Sequence, residues 1–194
     1  APARRQRLGI PDRESDAYRL VHAEGDELPG LIVDVYRDVA VLQLLTHGMK
    51  RREDALAGAV ARIAGARVVA EARGGRMQEK EGITVVPRIL RGPDRPQLRF
   101  RERGLEYAIE LGLAQKTGFY FDQRDNRALV ERLARGRRVL DLYSYVGPFA
   151  LAAARGGARS VHAFDKSAAV VSAAASIAAA NGLADRVEFA RQDV

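Results

Sequence analysis

Apolar and polar positions follow different periods along this chain, and each change of period marks a boundary. Residues 1 to about 16 carry charge and a proline without any apolar period, which reads as a linker or the remnant of something preceding. Short apolar runs follow. Residues 18–23 predict a strand, GDELPG at 25–30 a turn, and 31–35 with 39–45 a hairpin joined through Tyr36, Arg37 and Asp38. Leu56, Val60 and Ile63 recur at helical spacing, so one amphipathic helix is expected between residues 50 and 64, closing near Gly65. Val68–Glu71 reads as a strand, whereas glycines, prolines and charges make 73–97 a long loop with at most a short strand at 83–86. Residues 100–103 and 105–111 alternate around Gly104 as a second hairpin, completing a small α+β unit over 17–112.

A polar and aromatic segment, AQKTGFYFDQRDNR, then leads into a helix expected from about 123 to 135, with Asp122 as its N-cap. From Arg138 buried strands and helices alternate. VLDLY, SVHAFD and VEFARQDV are strand candidates, separated by PFALAAARGGA and by an Ala-rich helix that stops at Asn181-Gly182. Ser167 is the expected cap of that second helix. Three parallel strands with helical crossovers are the first half of a doubly wound sheet, expected to carry helices on both faces. A three-stranded sheet of this kind leaves bare the strand that would lie at its centre, so truncation is expected. The fold class is thus α/β, with 113–194 as the second domain.

Composition narrows the options. No run of 18 apolar residues exists, and the basic, polar start lacks the apolar core of a secretory signal, so neither membrane nor export has support and the cytoplasm is the default. Cysteine is absent, which excludes disulfides, thiolate metal sites and a cysteine nucleophile within this chain. The three histidines, His22, His47 and His162, lack metal-ligand spacing. A net charge of +7 with pI near 10.1 suits a polyanion partner, although 28 arginines against four lysines in an Ala-rich chain also fit a codon bias.

In open α/β sheets the ligand lies beyond the carboxyl ends of the strands, which here points to 141–149, 165–167 and Asp193. The first loop, DLYSYVGPF, has the single glycine Gly147 where a dinucleotide fingerprint needs three, so nicotinamide and flavin are poorly supported. Asp165 falls 24 residues after Asp141, a place suited to accepting both ribose hydroxyls of a nucleoside; a helix cap is the competing reading, and Asp193 shares the ambiguity. Phe119, Tyr120 and Phe121 read first as core. Lys116, Asp122, Gln123 and Arg124 bracket them with groups suited to an amino-acid moiety, Arg124 through a bidentate contact to a carboxylate.

KTGFYFDQRDNR at 116–127, followed by VLDLYSYVGPFALAAARGGA, HAFDKS and NGL, resembles the class I, S-adenosylmethionine-dependent cytosine-C5 methyltransferases of large-subunit ribosomal RNA. YRLVHAEGDELPGLIVDVY at 18–36 is similar to the central domain of that family, which lies between a PUA domain and a Rossmann-like methyltransferase domain. The resemblance implies S-adenosyl-L-methionine as cofactor, with Asp141, Ser144 and Gly147 around its methionine part, Asp165 on the ribose and Asp193 near the adenine amino group. It implies that Thr117, Tyr120, Asp122 and Arg124 close over it, and extends the set to Lys116, Tyr143, Lys166 and Ser167. Pro148 departs from the pattern, since relatives commonly carry a second glycine there. The resemblance also implies a fragment, with no PUA domain before residue 1 and the catalytic acid and cysteine motifs after Val194. No catalytic residue is assigned within the chain.

Ribosomal RNA is the implied partner, and oligomeric state stays open, a homodimer included. C5 chemistry needs a thiolate to add at C6 before methyl transfer, on a base splayed from its stack. Methylation of RNA on nitrogen or ribose needs no cysteine and stays an alternative, as does a non-catalytic RNA-binding module.

Overall fold

The computed structural model describes residues 9–72, 74–94 and 97–193, in two compact units that divide between Phe119 and Tyr120. The first unit is built on a five-stranded sheet of β1 (Ala17–His22), β2 (Leu31–Tyr36), β3 (Val39–Leu44), β4 (Val68–Glu71) and β5 (Arg88–Arg91) in that spatial order. Only β3 and β4 run parallel. Their crossover carries the one-turn helix α1 (His47–Lys50) and the amphipathic α2 (Glu53–Ala64), whose Ala57 and Val60 pack against Leu31, Val33, Leu42 and Val69. Thr46 caps α1 by accepting the Met49 N–H, and Gly65 closes α2 at φ 66.

The β2–β3 turn has two residues, Arg37 and Asp38, because Tyr36 pairs directly with Val39; the expected three-residue connection is corrected by one position. A larger correction concerns 73–97. Residues 83–86 form no strand; the strand is β5, four residues on, and a short helix α3 (Arg76–Lys80) precedes it. Pairing with β4 decides this, since the buried Glu71 carboxylate draws Arg88 to 3.2 Å.

β6 (Gln97–Glu102) and β7 (Leu105–Glu110) form the second hairpin, turning at Arg103 and Gly104 with φ of 51 and 80, the signature of a type I′ turn. Phe100, Tyr107 and Phe119 meet with ring centroids about 5 Å apart, and Tyr36 stands 5.0 Å from Phe100. Residues as far as Phe119 therefore belong to the core of the first unit.

The second unit contains α4 (Arg124–Leu133), β8 (Arg138–Leu142), α5 (Pro148–Arg155), β9 (Ser160–Asp165), α6 (Ala168–Ala180) and β10 (Val187–Arg191). The three strands are parallel in the order β10-β9-β8. Both crossovers step in the same direction, so right-handed connections put α5 and α6 on one face, not on both as expected. Burial follows. Val139, Val161 and Val187 share a register row that faces the helices, whereas the next row, Leu140, His162 and Glu188, faces solvent with Leu140 62% exposed. Asp122 does not cap α4. A 3-10 turn over Phe121–Gln123 makes Gln123 the residue before the helix, and the Asp122 carboxylate accepts from the Gln123 amide at 3.2 Å.

Candidate functional site

Residues 143–147 leave β8 and fold back over the carboxyl ends of β9 and β10. Three of these five positions have left-handed backbone, Tyr143 at φ 58, Tyr145 at 51 and Gly147 at 77. For the two tyrosines this conformation costs on the order of 1 kcal/mol each. Hydrogen bonds hold it: Ser144 N–H donates to the Phe164 carbonyl at 2.9 Å, Tyr145 N–H to Asp165 Oδ2 at 3.1 Å, and Gly147 N–H to the Ser144 carbonyl at 2.9 Å. At Gly147 a Cβ would stand 2.6 Å from the Phe189 ring, so the site requires glycine for space as well as for φ. Pro148 takes the first helical position of α5, where an N–H has no partner in the helix anyway, so the departure noted in the sequence is compatible with a normal start.

Asp141 sits beneath this loop. One oxygen accepts the Ala150 N–H at 3.1 Å, capping α5 from a distance, and no cation pairs with it among the described residues. Burial pushes its carboxyl up to about 6, the Ala150 bond opposing that only in part. Asp165 ends β9 and accepts two backbone N–H groups, Tyr145 at Oδ2 and Ser167 at Oδ1 (3.0 Å); each oxygen keeps a free lone pair. Both readings of this residue are therefore visible: it organises the loop, and it retains acceptor capacity. Ser167 caps α6 through the Val170 N–H at 3.4 Å.

Ser144 is 4% exposed, and its hydroxyl has no hydrogen-bond partner among the described residues. A buried hydroxyl without a partner costs roughly 1–3 kcal/mol, which a ligand bond would recover. Asp141 and Asp165, on consecutive strand ends, offer anionic acceptors for cationic or diol groups, and Ser144, in the loop after β8, offers a free hydroxyl.

The remaining residues fall into three places. Tyr143 is 70% exposed at the loop, and Lys166 and Asp193 are exposed beyond β9 and β10; the Lys166 carbonyl accepts from Arg191 at 3.1 Å. Tyr120, whose ring stands edge-on to Tyr145 at 6.4 Å, has its hydroxyl pKa raised by burial and then by Asp122, while Arg124 lies 5.9 Å over the Phe121 ring. Lys116 and Thr117 belong to the first unit, Lys116 exposed, Thr117 fully buried with its hydroxyl donating to Asp34.

Sequence reading did not single out Arg127, which is buried, donates to the Tyr120 carbonyl at 3.0 Å and lies 5.8 Å over the Phe149 ring. It ties the KTGFYFDQR segment to α5. A basic residue on the helical stripe that also carries apolar positions was the available signal.

A strained strand-to-helix loop, two strand-end aspartates and a buried unbonded hydroxyl thus gather at the carboxyl ends of a parallel sheet, where nucleoside cofactors bind in α/β folds. Residues 18–191 match the model of the S-adenosylmethionine-dependent methyltransferases, and the chain belongs to that family. It is similar to the ribosomal RNA large subunit methyltransferase I of Alteromonas mediterranea, 35% identical over 195 residues covering 100% of this chain and 49% of that protein. The protein of the same name from Shewanella denitrificans is 38% identical over 188 residues, covering 95% and 47%. A methyltransferase solved with S-adenosylhomocysteine superposes with a TM-score of 0.82 at 25% identity, covering 100% of this chain and 49% of that one. The chain thus spans about half the length of the curated relatives it matches. Among the described residues no helix is long and apolar enough to cross a membrane.

Proposed function

We propose that this chain holds the methyl donor for an enzyme that methylates cytosine C5 in large-subunit ribosomal RNA, in the cytoplasm. The supporting observation is likeness across nearly the whole chain to large-subunit ribosomal RNA methyltransferases, joined to a loop whose free acceptors suit the donor. When bound, S-adenosylmethionine supplies an electrophilic methyl group on a sulfonium. The chain's residues bind and orient. Asp165 accepts the ribose hydroxyls while keeping Tyr145 in place. Asp141, ionised above a pKa of about 6, faces the ammonium group, and Ser144 gives its hydroxyl to the same moiety. Gly147 lets the loop pass close to Phe189, and Asp193 takes the adenine amino group. Tyr120, Asp122 and Arg124 form the rim of the amino-acid end, with Tyr143, Lys166 and Ser167 around it.

Residues 17–112 are proposed to contact the RNA. The thiolate that C5 chemistry requires is not among these 194 residues, and we place it elsewhere in the protein. The test supplies labelled S-adenosylmethionine and unmodified large-subunit ribosomal RNA to the full-length protein, with nucleoside mass spectrometry of the product. Label in 5-methylcytidine is expected. Label on a ring nitrogen or ribose oxygen, for which the missing cysteine speaks, would replace the C5 assignment, and donor binding without any transfer to RNA would remove the RNA.

A further inference from the structure

The two ends of the three-stranded sheet carry opposite charge. Asp141, Asp165 and Asp193 lie at the carboxyl ends, whereas Arg135, Arg137 and Arg138 precede or open β8, Arg159 precedes β9 and Arg186 precedes β10. The parallel register draws these five to one edge. Arg138 pairs with Ser160, Arg159 N–H donates to the Arg137 carbonyl at 2.7 Å, and Val187, next to Arg186, pairs with Val161. All five are exposed. Among the described residues none of their side chains makes an ion pair or hydrogen bond, unlike Arg155, which holds Glu131 at 2.7 Å in the same unit. The acids at this edge are Asp185 and Glu188, and Glu188 is already 3.0 Å from His162. An open groove of about 610 Å³ runs beside Arg159 and Arg186.

Unpaired guanidinium groups this close repel one another, so the edge favours an anion. Strands are spaced about 4.8 Å apart, so the arginines spread over roughly 10 Å across three strands. The groove is open and all five arginines are exposed, which suits a chain of phosphates better than one free phosphate. We propose that this edge binds the phosphate backbone of RNA, at the end of the sheet remote from the methyl-donor loop. The inference rests on RNA being the substrate and adds a second place where it is held. Contacts of this kind set position and register without reading sequence.

The test is binding of the full-length protein to an unmodified transcript of large-subunit ribosomal RNA across a range of potassium chloride concentrations. The triple variant Arg137→Ala, Arg159→Ala, Arg186→Ala is expected to bind roughly 10- to 50-fold more weakly near 0.15 M salt. The slope of log affinity against log salt falls by about 2, three contacts at about 0.7 each. Affinity for S-adenosylmethionine and the thermal midpoint stay at wild-type values, and lysine at the same three positions restores the slope. In the opposite direction, Asp185→Asn with Glu188→Gln raises RNA affinity about threefold by the same electrostatic argument.

Wild-type affinity and slope in the triple variant, or no gain in the double one, overturn the proposal while leaving the function intact. Tighter binding of polyglutamate than of RNA at this edge reassigns it to an acidic protein segment. A wild-type protein without affinity for RNA removes both this proposal and the RNA substrate.

Discussion

The first unit buries carboxylates against cations; the second half-buries one against nothing but backbone. Asp34 and Glu71 are completely buried, yet Asp34 takes a bidentate guanidinium from Arg19 at 2.8 and 2.9 Å, and Glu71 lies 2.7 Å from Lys50 and 3.2 Å from Arg88. Glu53 closes that second set by holding both Lys50 and Arg88 at 2.7 Å, which lowers its own pKa. In the second unit Asp141 has one N–H and no cation, and Asp165 has two N–H groups and no cation. Asp34 and Glu71 are internally satisfied and serve the fold. Asp141 and Asp165 are held in place but not neutralised, the condition for meeting a charged ligand.

That contrast can be broken at either side. The largest effect is expected for Arg19→Ala, which leaves Asp34 buried without its cation and should lower the unfolding free energy by about 3 to 5 kcal/mol in urea titration, with donor affinity in the folded protein unchanged. Gly147→Ala comes next. Its Cβ meets Phe189 and its backbone is left-handed, so a loss of about 2 to 4 kcal/mol in stability and at least a tenfold loss of donor affinity by calorimetry are expected.

Asp141→Asn tests the unpaired charge directly. A folded pKa of about 6 against an unfolded 3.8 means the folded state holds the proton more tightly. The protein is therefore stabilised relative to neutral pH below 3.8, and that advantage is lost as pH rises through about 6. The asparagine variant should lack this slope between pH 4 and 6 and be more stable at pH 7.5 by about 2 kcal/mol. The same charge should make donor affinity in the wild type rise with pH through 6, and the variant should remove that dependence. Flat affinity in the wild type would detach Asp141 from the ammonium group. The smallest effect belongs to Ser144→Ala: stability unchanged or slightly higher, because an unbonded hydroxyl is removed, with donor affinity down by about 1 kcal/mol.

Much of this site was legible along the chain. Asp141, Gly147, Asp165 and Ser167 stand where strands meet helices, and the change from apolar run to Gly or Asp marks such places in any α/β chain. Positions that depend on pairing were not legible. β5 lies at 88–91 because Glu71 and the edge of β4 select it, and nothing local to the apolar run ITVV at 83–86 announces such a partner; Ile83, Val85 and Val86 carry the expectation instead. Arg127 is buried because the Tyr120 carbonyl and the Phe149 ring meet it, two contacts that only the folded chain brings together.

By itself the sequence determined the element types, the alternation that makes the second unit a parallel sheet, and the loop residues at its carboxyl ends, because period and backbone preference are local. Tertiary structure alone decided which carboxylates are neutralised, which face of the sheet the helices cover, and that the loop after β8 is strained. Those depend on which distant groups share a neighbourhood. Asp34 and Asp141 are the same side chain at the same depth of reading; only the presence of Arg19 beside one, and of bare backbone beside the other, separates scaffold from site.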